Sequence, residues 1–184
     1  MIARVLAVVA TALTLAACGE ASPPQARTEP QAVASAGAST AATAQTARRI
    51  ADPAEAKRIA HDRHEGFEEI GKAFKTINDQ LKAGSPDLAK IADRAAVIDR
   101  YAPQIATWFP AGTGRQDGVK THALATVWSE PERFAQANAG IVDASARFLA
   151  AARSNDLATV RAAVKPLGQA CKTCHDHFRE EDDD

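Results

Sequence analysis

The sequence predicts an all-α protein whose main domain is an antiparallel four-helix bundle. Apolar residues recur every three or four positions in four stretches, and clusters of Gly, Pro and Ser separate these stretches. The 184 residues include 43 Ala but only 10 Gly, six Phe, two Trp and one Tyr, which is typical of closely packed helices rather than of a β-sandwich. The formal net charge of -1, from 22 Lys and Arg against 23 Asp and Glu, leaves no basic excess for binding nucleic acid.

Residues 1–17 have the pattern of a bacterial export signal. Arg4 precedes an uncharged apolar run that is too short to span a bilayer as a stable helix. The run ends in Leu-Ala-Ala-Cys, which resembles the lipobox of bacterial lipoproteins and implies cleavage before Cys18 and attachment of lipid to its sulfur. The alternative is an ordinary secretory signal cut after Ala21, which would discard Cys18. We expect a periplasmic protein tethered to a membrane. Gly19, where Asp would favour the inner membrane, indicates the outer one.

Two segments flank the bundle without belonging to it. Residues 18–50 consist mostly of Ala, Ser, Thr, Gln and Pro, so they offer too little apolar surface to order themselves. We predict that they form a flexible linker between the lipid anchor and the domain. Residues 181–184 form an acidic tail, which would oppose the dipole of a preceding helix and fray its end. The folded domain is therefore assigned to residues 51–180.

The first two helices have clear start signals. Asp52 and Pro53 are typical of the cap and first turn of a helix, which is expected to end near Gly84. Its apolar stripe contains Ile59, Phe67, Ile70, Phe74, Ile77 and Leu81, with Arg63 at the remaining step. A Ser-Pro-Asp cluster ending in Asp87 begins the second helix, and Pro103 is expected to weaken the last turn of that helix.

The last two helices follow a longer connection. Pro131 begins a helix whose apolar stripe contains Phe134, Ala137, Ile141, Ala144, Phe148 and Ala152. A Ser-Asn-Asp cluster ends this helix and caps the fourth at Asp156. The stripe of the fourth helix contains Leu157, Val160, Val164, Leu167, Cys171, Cys174 and Phe178. Pro166 removes one of its backbone hydrogen bonds, so we expect a kink one turn before the cysteines.

A single motif carries recognisable chemistry. Cys171 and Cys174 enclose two residues and are followed at once by His175, which is the attachment pattern of c-type haem. A redox-active C-x-x-C pair is one alternative, but the strand that precedes such a pair in a thioredoxin-like unit is missing. A zinc site is another, and it would need further ligands, of which only His177 is close. The predicted cofactor is one haem c per chain, bound covalently by the two cysteines near the C-terminus, with His175 as an axial iron ligand.

A four-helix bundle with this motif at its C-terminal end resembles cytochrome c′, the high-spin branch of the class II c-type cytochromes. The resemblance runs from Ala54 to Arg179. Beyond the haem motif it rests on Arg63, Phe67, Ile70-Gly71 and Phe74-Lys75 in the first helix, Trp108-Phe109-Pro110 before a Gly-rich turn, and Val127-Trp128 before the third helix.

The resemblance implies roles for single residues. His175 would bind the iron on the proximal side, and Phe67 would lie over its distal side, where a phenylalanine cannot ligate, so the iron would be five-coordinate. Arg63 would approach a haem propionate, unless it is an ordinary surface arginine. Arg179, one helical turn beyond His175, would lie beside the proximal pocket, unless it is simply solvated at the helix end.

Further residues of the first helix would line the distal side. Ile70 and Phe74 would complete its apolar wall. Gly71, together with Gly66, would let the haem approach the helix closely, unless these glycines serve only helix packing. Such a wall offers no hydrogen-bond donor to bound oxygen, so nitric oxide and carbon monoxide are the expected ligands.

We therefore expect a gas-binding protein rather than an enzyme, one that buffers or detoxifies nitric oxide and whose redox-active iron serves a partner that the sequence does not identify. For nitric oxide, the resemblance suggests loss of the His175 bond and a final ligand on the Arg179 side. The main alternative is a low-spin electron carrier with His61 or His64 as sixth ligand. A haem-free scaffold lipoprotein is a third, and it would leave the motif without purpose. The resemblance allows a homodimer, because the family commonly pairs through its first helices, but the sequence does not decide between monomer and dimer.

Overall fold

The computed structural model describes residues 49–181 of the chain. These residues form five α-helices, which are α1 (Pro53–Lys82), α2 (Leu88–Tyr101), α3 (Thr126–Ser129), α4 (Pro131–Arg153) and α5 (Leu157–Phe178). Two 3-10 helices, Ala102–Thr107 and Arg115–Asp117, lie in the long connection between α2 and α3. The predicted export signal, Cys18, nearly all of the linker and residues 182–184 of the tail lie outside the described residues. Within residues 49–181, no helix has both the length and the apolar character that a membrane span needs.

Aspartates begin three of the four long helices. The side chains of Asp52, Asp87 and Asp156 accept hydrogen bonds at 3.0 Å from backbone N–H groups two or three residues later. Each carboxylate satisfies a donor that the first turn leaves unpaired, and its charge is favoured by the helix dipole. α4 begins instead with Pro131, whose missing N–H would be unpaired there in any case. All four predicted starts are confirmed.

The two prolines in the helical stretches behave differently. α2 ends at Tyr101, and the chain continues as the 3-10 helix Ala102–Thr107, which contains Pro103. The weakened last turn predicted there is confirmed. Pro166 is exposed and lies inside α5, which continues through it to Phe178. The kink expected at Pro166 stays a prediction.

The long helices form the predicted bundle. α1 packs on α2, α2 on α4, and α4 on α5. Short connections join α1 to α2 and α4 to α5, so each of these pairs is antiparallel. The longer connection between α2 and α4 crosses one end of the bundle and contains the short helices.

Two large clusters of buried side chains, and a smaller third one of Ile50, Ala56, Ala60 and Val119, fill the interior. The aliphatic cluster consists of Ala73, Ile77, Leu81, Ile91, Ala95, Ile98, Phe148, Leu149, Ala152, Val160 and Leu167. The aromatic cluster consists of Ala102, Ile105, Phe109, Val127, Phe134, Ile141, Cys174 and Phe178. Cys171 packs against the aliphatic cluster, whereas Cys174 belongs to the aromatic one. The haem motif therefore lies where the two clusters meet.

Candidate haem site

The two cysteines of the motif lie on the inner side of α5. Cys171 is half-buried and Cys174 is only 8% exposed, whereas His175 is exposed. Burial raises the pKa of both thiols, and together with the neighbouring Cys171 it raises that of Cys174 to about 11. Both sulfurs are therefore protonated at neutral pH, which is typical of buried structural cysteines and not of a redox-active thiolate.

α1 turns an apolar face toward the motif. Phe67, Ile70 and Phe74 are half-buried. Phe67 packs against the aromatic cluster and Phe74 against the aliphatic cluster, and Ile70 packs against both. α5 reaches this face at Gly168, one turn before Cys171. A Cβ built on Gly168 would lie 3.3 Å from Cζ of Phe74. The predicted distal residues and the predicted attachment residues are thus brought to the same part of the bundle.

The arrangement of α1 and α5 fits a flat apolar cofactor. Close backbone contacts between the two helices are sparse, although both helices flank the same two clusters. Half-buried apolar side chains on α1 and the two thiols on α5 therefore border one apolar surface of the bundle. A haem bonded to Cys171 and Cys174 would cover it. Gly71 on α1 is exposed, and a Cβ there would meet nothing within 4 Å.

Phe67 belongs to a series of aromatic rings that contact one another. The Phe67 ring meets Trp108 edge-on, with centroids 5.1 Å apart, and lies 6.1 Å from Phe109. Phe109 meets Phe134 at 5.0 Å, and Phe134 meets Phe178 at 5.1 Å. Edge-on contacts of this kind stabilise a fixed arrangement of rings. They link the middle of α1 to the end of the haem-motif helix.

Arg63 is buried against these aromatic rings. Its side chain is held 4.5 Å above the Phe109 ring, and the residue is 4% exposed, which excludes an ordinary surface arginine. Desolvation lowers the pKa of its guanidinium to about 10, so it remains charged at neutral pH. Nη1 donates to Trp108 O and Thr113 Oγ1, and Nη2 donates to Thr113 O and Thr121 Oγ1, at 3.0–3.2 Å.

These bonds give Arg63 a structural role that the sequence analysis missed. They anchor the connection between α2 and α3 to α1, and the only signal in the sequence was a charge on an apolar stripe. The approach to a haem propionate, which the resemblance implies, stays a prediction. Four of the five guanidinium N–H groups already have partners in the protein.

The chain leaves the helical conformation at Arg179. α5 ends at Phe178, and Arg179 is extended, with φ -121° and ψ 139°. It forms an isolated bridge with Ala123, which belongs to the segment before α3. Its N–H still donates to the carbonyl oxygen of His175 at 3.0 Å, so Arg179 lies one helical turn beyond His175 as the cap of α5, although its own backbone is no longer helical. A role beside the proximal pocket stays a prediction.

The end of α5 is fastened to the segment that precedes α4. Nε2 of His177 lies 2.9 Å from Oε2 of Glu130, and this contact is the main reason that the pKa of Glu130 is lowered. The Thr126 hydroxyl donates to the carbonyl oxygen of His177 at 2.7 Å, and the N–H of Leu124 donates to that of Phe178 at 2.9 Å. His177, the nearest further zinc ligand that the sequence offers, is thus engaged in holding the helix end.

Glu180 continues this attachment. Its backbone N–H donates to the carbonyl oxygen of His122 at 2.7 Å, and its carboxylate forms an ion pair with Arg115. Glu180, the last residue before the acidic tail, is therefore bound to the rest of the domain and is not simply solvated.

Comparison with known proteins identifies relatives of the whole bundle. The family model described as Cytochrome C' matches residues 58–179. Cytochrome c-554 from Cereibacter sphaeroides is 30% identical over 146 residues, which cover 77% of this chain and 89% of that protein. Residues 58–179, which the family model matches, include every candidate haem-site residue from Arg63 to Arg179.

Solved structures agree with this match. The crystal structure of cytochrome c′ from Rubrivivax gelatinosus has a TM-score of 0.62 and 29% identity, covering 68% of this chain and 97% of that chain. The nitric oxide complex of a variant cytochrome c prime from Alcaligenes xylosoxidans has a TM-score of 0.61 and 26% identity, covering 73% of this chain and 100% of that chain.

Proposed function

This chain belongs to the cytochrome c′ family, whose members carry covalently attached haem c, and on that premise we propose that it is a high-spin, five-coordinate haem protein that binds nitric oxide and carbon monoxide. The observation that carries the proposal is Phe67. Its side chain cannot ligate iron. It lies on the face of α1 that borders the cysteine motif, where it contacts the rings of Trp108 and Phe109.

The residues of α5 would hold the cofactor. Cys171 and Cys174 would hold the haem through two thioether bonds, each of which would form by addition of the S–H group across one vinyl double bond, with sulfur on one carbon and hydrogen on the other. His175 follows directly and would bind the iron. When bound, haem supplies an iron that takes up a diatomic ligand and changes between the ferric and ferrous states.

The residues of α1 would select the ligand. Phe67, Ile70 and Phe74 carry no N–H or O–H donor, and bound oxygen depends on such a donor far more than nitric oxide or carbon monoxide do. The wall therefore favours the latter two gases. The similar Alcaligenes protein was solved as a nitric oxide complex, which supports the same ligand here.

A low-spin electron carrier remains the alternative, with His61 or His64 as sixth ligand. Both histidines are exposed on α1, and the His64 side chain is 64% exposed and lies 3.3 Å from the Glu68 carboxylate. Either ring would have to leave the solvent side of the helix to reach iron beside Phe67. Their exposure therefore favours five-coordinate iron.

Absorption and electron-spin spectra of the ferric and ferrous holoprotein test the choice. We expect a high-spin resting state that is the same in the parent and in the His61→Ala/His64→Ala double variant, because neither histidine binds the iron. A low-spin resting state that becomes high-spin in the double variant would overturn the proposal in favour of the electron carrier. A single His122→Ala variant, whose site lies after the second 3-10 helix, is the matched control.

The cellular setting is also part of the proposal. We place the domain in the periplasm, held to the outer membrane by lipid on Cys18 through the linker, where it buffers or detoxifies nitric oxide. A redox partner would return the iron to its ferrous state. The non-enzymatic role and the homodimer stay predictions.

A further inference from the structure

Trp108 is in direct contact with the residue proposed to lie over the iron. Its indole and the Phe67 ring meet at an interplanar angle of 87° with centroids 5.1 Å apart. The indole also meets Tyr101, the last residue of α2, with ring centroids 6.0 Å apart. The indole therefore contacts both the end of α2 and the ring of Phe67.

The position of the indole is fixed by its surroundings. A Cβ built on Gly66 would lie 2.6 Å from Cη2 of Trp108, so the indole rests directly on the α1 backbone beside Phe67. Arg63 donates a hydrogen bond to the carbonyl oxygen of Trp108 at 3.2 Å and lies over the ring of Phe109. Both the ring and the backbone of Trp108 are thus held against α1.

Trp108 also separates Phe67 from a groove of about 470 Å³ between α1 and the 3-10 helix after α2. Gly66, Tyr101 and Trp108 are among the residues that line this groove, whereas Phe67 is not. Removing the indole would open the groove to the Phe67 ring. The ring would then have room to turn away from the side of the bundle that contains the motif.

We propose that Trp108 is a positioning residue that holds Phe67 on the distal side of the haem site and thereby limits how fast a diatomic ligand reaches the iron. The inference rests on the proposed function, because it requires Phe67 to lie over the iron. Trp108 itself contacts neither ligand nor iron in this scheme, and it acts only through the ring of Phe67.

The test measures carbon monoxide association with the ferrous holoprotein by flash photolysis. The variants are Trp108→Ala, Trp108→Phe, Phe67→Ala and the Trp108→Ala/Phe67→Ala pair. Phe148→Leu, which removes volume from the aliphatic cluster instead, is the matched control for a loosened core. Thermal unfolding and the haem absorption spectrum are recorded for every variant.

Loss of the edge-on contact should raise the association rate about three- to tenfold in Trp108→Ala. Trp108→Phe keeps an aromatic ring at the contact and should stay within about twofold of the parent. In the Phe67→Ala background, Trp108→Ala should not change the rate, although it still lowers the unfolding temperature. If Trp108→Ala yields no holoprotein, Gly66→Ala displaces the same indole by a smaller change and should raise the rate to a lesser extent.

The outcomes separate this inference from the function on which it rests. A faster rate in Phe67→Ala but not in Trp108→Ala would overturn the role of Trp108 and leave the proposed function intact. The role of Trp108 would also be overturned if Trp108→Ala changed the association rate equally in the parent and in the Phe67→Ala background. The same holds if Phe148→Leu raised the rate as much as Trp108→Ala does. An unchanged rate in Phe67→Ala would overturn both, because Phe67 would then not stand in the path of the ligand.

Discussion

Replacing Arg63 by Met should lower the free energy of unfolding of the holoprotein by about 3 kcal/mol. The side chain donates four hydrogen bonds, and bonds from a charged donor contribute about 1.5 kcal/mol each, or about 6 kcal/mol together. Against this stands desolvation, which lowers the pKa from 12.5 to about 10 and corresponds to a cost of about 3 kcal/mol. Met keeps the apolar part of the side chain but removes both the hydrogen bonds and the desolvation cost. The expected loss of stability is therefore the difference between these two contributions.

The assay is urea unfolding followed by circular dichroism, with haem covalently attached in both the folded and the unfolded state. Arg58→Met is the matched control, because Arg58 lies on the same helix, has a side chain that is 63% exposed, and forms one surface ion pair with Asp62. Such a pair contributes about 0.5 kcal/mol. A loss in Arg63→Met no larger than in Arg58→Met would refute the reasoning. It would mean that water replaces Arg63 at the carbonyl groups of Trp108 and Thr113.

Three further predictions concern packing, pH and the membrane. Gly66→Ala should destabilise the protein by about 1–3 kcal/mol, because its Cβ would lie 2.6 Å from the Trp108 indole, whereas Gly140→Ala in α4, whose Cβ would meet nothing within 4 Å, should stabilise by about 0.5–1 kcal/mol. Equal shifts in their unfolding temperatures would contradict this packing. Asp156→Ala should lower the free energy of unfolding at neutral pH, because the carboxylate caps α5. Hydrogen bonds from the Thr159 hydroxyl and from backbone N–H groups lower the pKa of Asp156 below its usual 3.8, so this contribution is present above 3.8 and is lost as the pH falls through the lowered value. Urea unfolding at both ends of that range checks it, and a difference independent of pH would count against the cap. Cys18→Ser should move the protein from the membrane fraction to the soluble periplasmic fraction, because acyl chains contribute about 0.8 kcal/mol per buried CH₂. An unchanged distribution would argue against lipidation.

The helix starts could be predicted from the sequence because each depends on neighbouring residues. Asp52, Asp87 and Asp156 bond to N–H groups two or three residues away, and Pro131 needs only its own ring geometry. The haem motif is equally local. Its placement within the last turns of a helix follows from the apolar stripe that contains both cysteines.

The features that the sequence did not predict depend on residues far apart in the chain. Arg63 bonds to residues 45 to 58 positions away, and nothing local to α1 or to the connection indicates which of them it meets. Arg179 caps α5 in an extended conformation, and its neighbours Phe178 and Glu180 bond to the segment before α3, which are contacts between elements that helical periodicity does not report. The role inferred for Trp108 likewise required the positions of Gly66, Phe67 and the groove together.

Addition of nitric oxide to the ferrous holoprotein, followed by absorption and electron-spin spectra, tests the central claim most directly. The result that we predict is a high-spin resting haem, because Phe67 supplies no sixth ligand, and its conversion to a five-coordinate nitric oxide complex with loss of the bond between His175 and the iron. A low-spin haem that does not react with nitric oxide would contradict the account. In that case a histidine would occupy the sixth position, and the protein would be an electron carrier.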